Sequence, residues 1–146
     1  MTKKQIELVR GSFEVIRENS GPVAMLFYGR LFDLDPRLRT LFKTEMREQS
    51  RKLMDMLTSI VEHLDSLERV RPQLRELGSK HVGYGVRPEH YETVGSALLW
   101  AFGQALGREF QPEVRAAWLT AIHTISREML NGPADAGNPP TNAPMF

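Results

Sequence analysis

Apolar residues recur every three or four positions along most of the chain, the spacing that places them on one face of an α-helix. The first such stripe follows Thr2 and Gln5, whose types and separation are those of a capping box at a helix N-terminus. It consists of Ile6, Val9, Phe13 and Ile16. No segment shows the alternating pattern of a half-buried strand, so we predict an all-α fold.

Prolines and glycines divide the remaining apolar stripes into further helices, because proline suits a first helical turn and glycine suits a break. After a break at residues 19–22, a second helix runs to about Leu34, and Asp35 with Pro36 then opens a short one. A long helix is predicted from about residue 45 to residue 65. The last three helices begin at Pro72, Pro88 and Pro112. Seven helices of unequal length favour crossed packing over an up-and-down bundle.

The composition limits the classes of site and partner. The 146 residues suit one domain, and 19 basic against 18 acidic residues leave a net charge of +1, so we expect no nucleic-acid and no membrane partner. The chain has no cysteine, which excludes disulfides, iron–sulfur clusters and thiolate metal sites. No segment reaches signal-peptide or membrane-spanning length, so we expect a cytoplasmic protein. Residues 132–146, rich in Gly, Pro, Asn and Ala, are predicted to be a flexible tail after a domain of residues 1–131.

His81 is an unusual residue on a predicted helix, because helical steps back from it reach Leu77 and Leu74 on the buried face. Gly83 and Gly85 break the helix immediately afterwards, so the imidazole lies where two helices meet. A histidine in such a place is more often bonded to a neighbouring carbonyl within the core than bound to a metal. The residues alone leave both interpretations open. The histidines expected to be structural or at the surface are His63, His90 and His123.

Gln49 raises a similar question on the long helix, where it lies one turn before Leu53 on the same buried side. Burying an unpaired amide costs about 1–3 kcal/mol, so a glutamine there needs water or an internal partner unless it reaches solvent. The amide therefore marks either an internal polar site or a helix start that is open to water.

Five spaced features occur in a fixed order along the chain. They are Leu26-Phe27-Tyr28, Pro36 with Phe42 six residues later, the segment from Gln49 to Leu53, the segment from Lys80 to Val86 with Tyr91 after it, and Ala117-Trp118. In this order they resemble the globin family, specifically the bacterial single-domain globins that are similar to the haem domain of flavohaemoglobins. The resemblance covers about residues 3–131 and implies a globin fold, a crossed-helix sandwich around haem b.

The resemblance assigns roles to the candidate residues. It implies that Nε2 of His81 binds the haem iron while Nδ1–H is donated to a backbone carbonyl such as that of Leu77. It also implies that Tyr28 and Gln49 donate hydrogen bonds to bound dioxygen, which gives slow release and high affinity. The other haem contacts that it implies are Phe42, Leu53, Leu57, Lys52, Tyr84, Val86, Tyr91, Val94 and Leu98. Arg51, Lys52 and Tyr84 are candidates for the haem propionates, and an exposed surface position is the alternative for the two cations.

Three functions fit this resemblance. Reversible dioxygen binding is preferred, and nitric oxide dioxygenase activity is the alternative, for which a separate reductase must supply electrons to a chain of this length. A haem-free regulator is the third, and the polar residues predicted in the core argue against it. The proximal glutamate of flavohaemoglobins falls on Gly132 or Pro133 here, and Glu128 comes too early in the last helix, so we expect weaker peroxidase-like chemistry. We expect a monomer or a weak dimer.

Overall fold

The computed structural model describes residues 1–42 and 45–131, which form six α-helices and three 3₁₀ turns. The α-helices are α1 (Lys3–Glu18), α2 (Ser20–Leu34), α3 (Met46–Glu62), α4 (Arg71–Gly83), α5 (Pro88–Leu106) and α6 (Pro112–Leu130). The 3₁₀ turns are Pro36–Leu41, Leu67–Arg69 and Gly107–Glu109. No strand occurs within these ranges, which confirms the predicted all-α class. None of the helices in the described ranges is long and apolar enough to cross a membrane, and the predicted tail, residues 132–146, lies outside those ranges.

The helix ends follow the sequence signals at three places. Oγ1 of Thr2 accepts from the backbone N–H of Gln5 at 3.1 Å, and Oε1 of Gln5 accepts from the backbone N–H of Thr2 at 3.0 Å. Asp35 accepts from the backbone N–H of Arg37 at 3.1 Å, ahead of the first 3₁₀ turn. Gly107 ends α5 with a φ of 54°, a left-handed conformation that glycine adopts without strain. The two predicted helix starts are thus confirmed.

The long third helix ends earlier than predicted, at Glu62 rather than near residue 65. Arg10 of α1 lies against this end, where its Nε donates to the carbonyl of Val61 at 3.2 Å and its Nη2 to the carbonyl of Glu62 at 3.0 Å. The same Nη2 lies 3.1 Å from the carboxylate of Asp65. The last carbonyls of a helix lack partners within it and carry partial negative charge, so a guanidinium from α1 stabilises the end of α3 at this point.

The core forms where helices cross, with α2 against α5 and with α1 and α4 against α6. The largest fully buried apolar side chains include Phe27, Phe102, Ile16 and Leu31. Trp118 of α6 is buried, and its Nε1 donates to Oγ of Ser12 on α1 at 2.8 Å. Leu34, the last residue of α2 as predicted, is 44% exposed. The crossings therefore bury the middle of each helix and leave this end in solvent.

The helices α3 and α4 make few contacts with each other and flank a groove of about 400 Å³. Met56 and Ile60 line it from α3, and Leu74 and Leu77 line it from α4. His81 follows Leu77 by one turn of α4. The fold therefore separates α3, which carries Gln49, from α4, which carries His81.

Candidate functional site

His81 is fully buried on α4, and its ring is held by the backbone of the previous turn. Nδ1 lies 2.8 Å from the carbonyl oxygen of Leu77, which confirms the predicted bond. A carbonyl can only accept, so Nδ1 carries the proton and Nε2 carries a lone pair. Burial lowers the pKa of His81 to about 4, while the bond to Leu77 acts in the opposite direction, so the ring is neutral at pH 7. This is the protonation state and tautomer in which an imidazole binds a metal through Nε2.

The turn after His81 is folded back onto the histidine's own backbone. The carbonyl of His81 accepts from the N–H of Val86 at 2.9 Å and from the N–H of Tyr84 at 3.1 Å. Gly85 has a φ of 94°, which permits this tight return. The ring of Tyr84 meets the imidazole edge-on, with centroids 6.0 Å apart. The structure thus brings together three predicted site residues, His81, Tyr84 and Val86, around one helix end.

Tyr28 of α2 and Gln49 of α3 are neighbours, and both are buried. The hydroxyl of Tyr28 donates to the backbone carbonyl of Gln49 at 3.2 Å. Burial raises the pKa of Tyr28 well above its usual value, and the contact with Gln49 lowers it by less, so the phenol keeps its proton and remains a donor. The two predicted gas-binding residues are therefore neighbours, although here the hydroxyl is directed to the main chain of α3.

An aromatic cluster fixes the ring of Tyr28. Phe27 and Phe42 meet it edge-on with centroids at 4.8 Å and 5.5 Å, and Phe32 stacks on it at 6.1 Å. Phe42 and Phe32 also contact each other, at 5.4 Å. Phe42 follows the first 3₁₀ turn directly, so that turn brings a predicted haem contact against the tyrosine. Ring packing of this kind restricts the phenol to a small range of orientations.

The remaining predicted contacts differ in burial. The fully or nearly buried ones are Leu53, Leu57, Val86, Val94 and Leu98. Lys52 is half-buried on α3. Arg51 is exposed and pairs with Asp55 at 3.5 Å, one turn further along the same helix. Of the two candidate cations for the propionates, Arg51 thus occupies the surface position that was the alternative.

An apolar cavity of about 70 Å³ lies where α3, α5 and α6 meet. Four predicted haem contacts line it, namely Leu57, Tyr91, Val94 and Leu98. Burial raises the pKa of Tyr91 to about 12, so its phenol also stays protonated at physiological pH. One cavity is thus lined by predicted haem contacts from both α3 and α5.

The other histidines have local structural roles or lie at the surface. Nδ1 of His63 lies 2.8 Å from the carbonyl of Ser59, Nδ1 of His90 accepts from the N–H of Arg87 at 3.0 Å, and His123 is exposed. Among the residues described, no group of three or more histidine, aspartate or glutamate side chains is arranged to hold a metal ion. A single neutral imidazole can hold a metal that brings its other ligands with it, as porphyrin iron does. The donor set around His81 therefore fits haem better than a metal site built from protein ligands alone.

Two contacts between α4 and α6 were missed by the sequence reasoning. Glu128 of α6, considered only as a misplaced proximal carboxylate, lies 3.2 Å from Nε of Arg71 and 3.6 Å from Nε of Arg75. Gly78 of α4 lies directly against the backbone of Met129, where a Cβ would be 2.6 Å from the carbonyl carbon. A glycine in the middle of a helix was the available signal for the second contact, because glycine there otherwise costs stability.

Comparisons with known proteins agree with the sequence and the geometry. A family model described as Globin matches residues 26–129. Neuroglobin from Tetraodon nigroviridis is 32% identical over 94% of this chain and 95% of its own length. Flavohemoprotein from Bacillus subtilis is 28% identical over 86% of this chain and 32% of its own length. The structure of a bacterial globin from Campylobacter jejuni, 26% identical, matches with a TM-score of 0.79 over 89% of this chain and 94% of that one.

Proposed function

Because the chain belongs to the globin family, we propose that it holds haem b through His81 and binds dioxygen reversibly with high affinity. The observation that carries the proposal is the state of His81, which is fully buried, neutral and protonated on Nδ1. Haem, when bound, would supply an iron that takes up a diatomic gas. His81 would hold that iron through Nε2, and the bond between its Nδ1 and the carbonyl of Leu77 fixes the plane of the ring.

Tyr28 is the first donor that we assign to the gas. Its hydroxyl must exchange the carbonyl of Gln49 for the gas as acceptor, while the aromatic cluster holds the ring in place. A neutral hydrogen bond contributes about 0.5–1.5 kcal/mol and one to a charged acceptor about 1.5–3 kcal/mol, so the exchange gains roughly 1–1.5 kcal/mol for a gas that carries partial negative charge. That gain corresponds to about a tenfold slower release of dioxygen.

Gln49 is the second donor, and its complete burial supports the assignment. The helix α3 carries its amide into the interior one turn before Leu53, which is buried on the same face. Burial of an amide among apolar residues is costly unless the amide makes a hydrogen bond, and a bound gas is an acceptor for it. Two donors in a dry site together account for the proposed high affinity.

Nitric oxide dioxygenase activity is the second candidate, and the likeness to flavohaemoproteins favours it. The chain corresponds to 32% of the length of each, and we propose a separate reductase as the electron donor for turnover. Glu128 is engaged by Arg71 and Arg75, and this weighs against its acting as a carboxylate partner of the proximal imidazole. The position that the sequence assigned to that partner, at Gly132 or Pro133, lies outside the described residues.

Visible absorption spectra of the purified, haem-supplied protein test the preferred function. We expect distinct spectra for the ferric, ferrous and dioxygen-bound forms, and recovery of the ferrous spectrum when dioxygen is removed. A colourless protein would contradict the proposal. Nitric oxide consumption with a supplied reductant separates the two candidates, since a carrier binds stoichiometrically whereas a dioxygenase turns over.

A further inference from the structure

A cluster of three charged side chains joins α4 to α6. Nε of Arg71 and Nε of Arg75 lie 3.2 Å and 3.6 Å from the same oxygen, Oε2 of Glu128. The side chain of Glu128 is only 17% exposed, whereas the arginines are about half exposed. The contacts are charge–charge contacts rather than well-aligned hydrogen bonds. Two arginines one turn apart on α4 thus converge on a carboxylate that is enclosed between the helices.

A backbone contact continues this cluster along the same two helices. Met129, the next residue of α6 after Glu128, presents its main chain to Gly78 so closely that no Cβ fits between them. Arg71, Arg75 and Gly78 are separated by four and three residues, the spacing of one helix face. We call these five residues the α4–α6 clamp.

The buried face of α4 is narrow. Leu74, Gly78 and His81 are the buried residues among its 13 positions. Its first turn contains no acidic residue, and the clamp arginines place positive charge near the positive end of the helix dipole. Glu128 supplies the missing negative charge from α6, so it stabilises the start of α4 as well as its contact with α6.

We propose that Glu128 is a positioning residue that sets the orientation of His81 toward the haem through the α4–α6 clamp. The inference rests on the proposed haem function. His81 lies one turn after Gly78 and about 15 Å along the axis from Arg71, so a rotation of α4 at the clamp swings the imidazole in the same sense. Loss of Glu128 removes the attraction that holds the two arginines of α4 against α6, so α4 is then less restrained against such a rotation.

The test compares the iron–histidine stretching band of the ferrous, unliganded protein by resonance Raman spectroscopy, together with the rate of haem loss to an excess of apomyoglobin. The variants are Glu128→Gln, Glu128→Gln with both arginines changed to Gln, and Arg71→Gln. Glu113→Gln and Lys4→Gln are the matched controls, because each breaks an exposed ion pair between α6 and α1. The side chains of Glu113 and Lys4 are 69% and 75% exposed. Glu113 and Lys4 lie 3.7 Å apart and make no part of the clamp.

We expect Glu128→Gln to shift and broaden the band relative to both controls and to speed haem loss about fivefold or more. The triple variant also lacks the attraction between α4 and α6, so its band is expected to match that of Glu128→Gln, and a wild-type band in it would contradict the inference. A Glu128→Gln band and haem-loss rate equal to those of Glu113→Gln would overturn the inference and leave the proposed function intact. If Glu128→Gln does not fold, the band and the haem-loss rate of Arg71→Gln are compared with those of Lys4→Gln, and equal values would overturn the inference. A wild-type protein with no haem spectrum overturns the proposed function and this inference together.

Discussion

Replacement of Gly78 by alanine tests the close approach of α4 to the backbone of Met129 on α6. A Cβ at this position would lie 2.6 Å from the carbonyl carbon of Met129 and 2.9 Å from its Cα, and the carbonyl oxygen would be nearer still. All three atoms belong to the backbone of α6, so no side-chain rotation relieves the overlap. The helices α4 and α6 must therefore separate by about 1 Å or more to restore ordinary packing distances.

The magnitude follows from two opposing effects. Overpacking of this kind costs about 1–3 kcal/mol, and a rigid backbone neighbour places Gly78→Ala at the upper end. The better helix propensity of alanine returns about 1 kcal/mol, so we expect a net loss of about 2 kcal/mol. In a chain of this size, each kcal/mol of lost stability lowers the melting temperature by about 3 °C, so we expect a decrease of roughly 6 °C.

Gly11→Ala is the matched control, because Gly11 lies inside α1 with no atom within 4 Å of an added Cβ. It should stabilise the protein by about 0.5–1 kcal/mol. Urea unfolding of the haem-free proteins gives both free energies of unfolding, and the two substitutions should differ in sign. A Gly78→Ala protein as stable as Gly11→Ala would show that α4 and α6 do not approach each other at Met129, and the account of the clamp would fail with it.

The other predictions concern the gas site, a helix end and the buried imidazole. Tyr28→Phe removes the donor while it keeps the ring, so dioxygen release measured by stopped flow should speed up about tenfold; an unchanged off-rate would show that the hydroxyl stays on the carbonyl of Gln49. Arg10→Ala leaves the end of α3 without its cap and should cost about 1–2 kcal/mol of unfolding free energy, whereas Arg17→Ala, which breaks an exposed pair within α1, should cost less than about 0.5 kcal/mol. The pKa of His81 falls from 6.5 to about 4 on folding, so the unfolded chain binds the proton more tightly. The haem-free protein should therefore lose up to about 3 kcal/mol of stability as the pH falls from 6.5 to 4. His81→Leu should remove most of that pH dependence, and a slope that persists in this variant would contradict the burial of a neutral imidazole.

Sequence reasoning succeeded where one helix or one turn contains the whole interaction. The capping box of Thr2 and Gln5 and the bond from His81 to Leu77 depend on separations of three and four residues, which the chain displays directly. The place of Gln49 on an apolar stripe left both burial and exposure open, and the structure shows that its side chain is buried.

The contacts that sequence reasoning missed depend on how helices cross. Glu128 is 57 residues from Arg71, and the approach of Gly78 to Met129 depends on the position of two backbones that no local spacing records. The acceptor of the Tyr28 hydroxyl is of the same kind, since only the placement of α2 beside α3 brings it to the carbonyl of Gln49. Periodicity assigns a residue to a face, but it does not give the partner that the face meets.

Chemical rescue of His81→Gly tests the central claim most directly. If the imidazole of His81 is the axial base of the haem, this variant should lose the wild-type ferrous absorption spectrum, and added free imidazole should restore it by occupying the vacated space. His63→Gly, which removes a histidine that lies at the end of α3 and contacts the carbonyl of Ser59, should keep the wild-type spectrum without imidazole. A His81→Gly protein whose haem spectrum equals that of the wild type before imidazole is added would contradict the account.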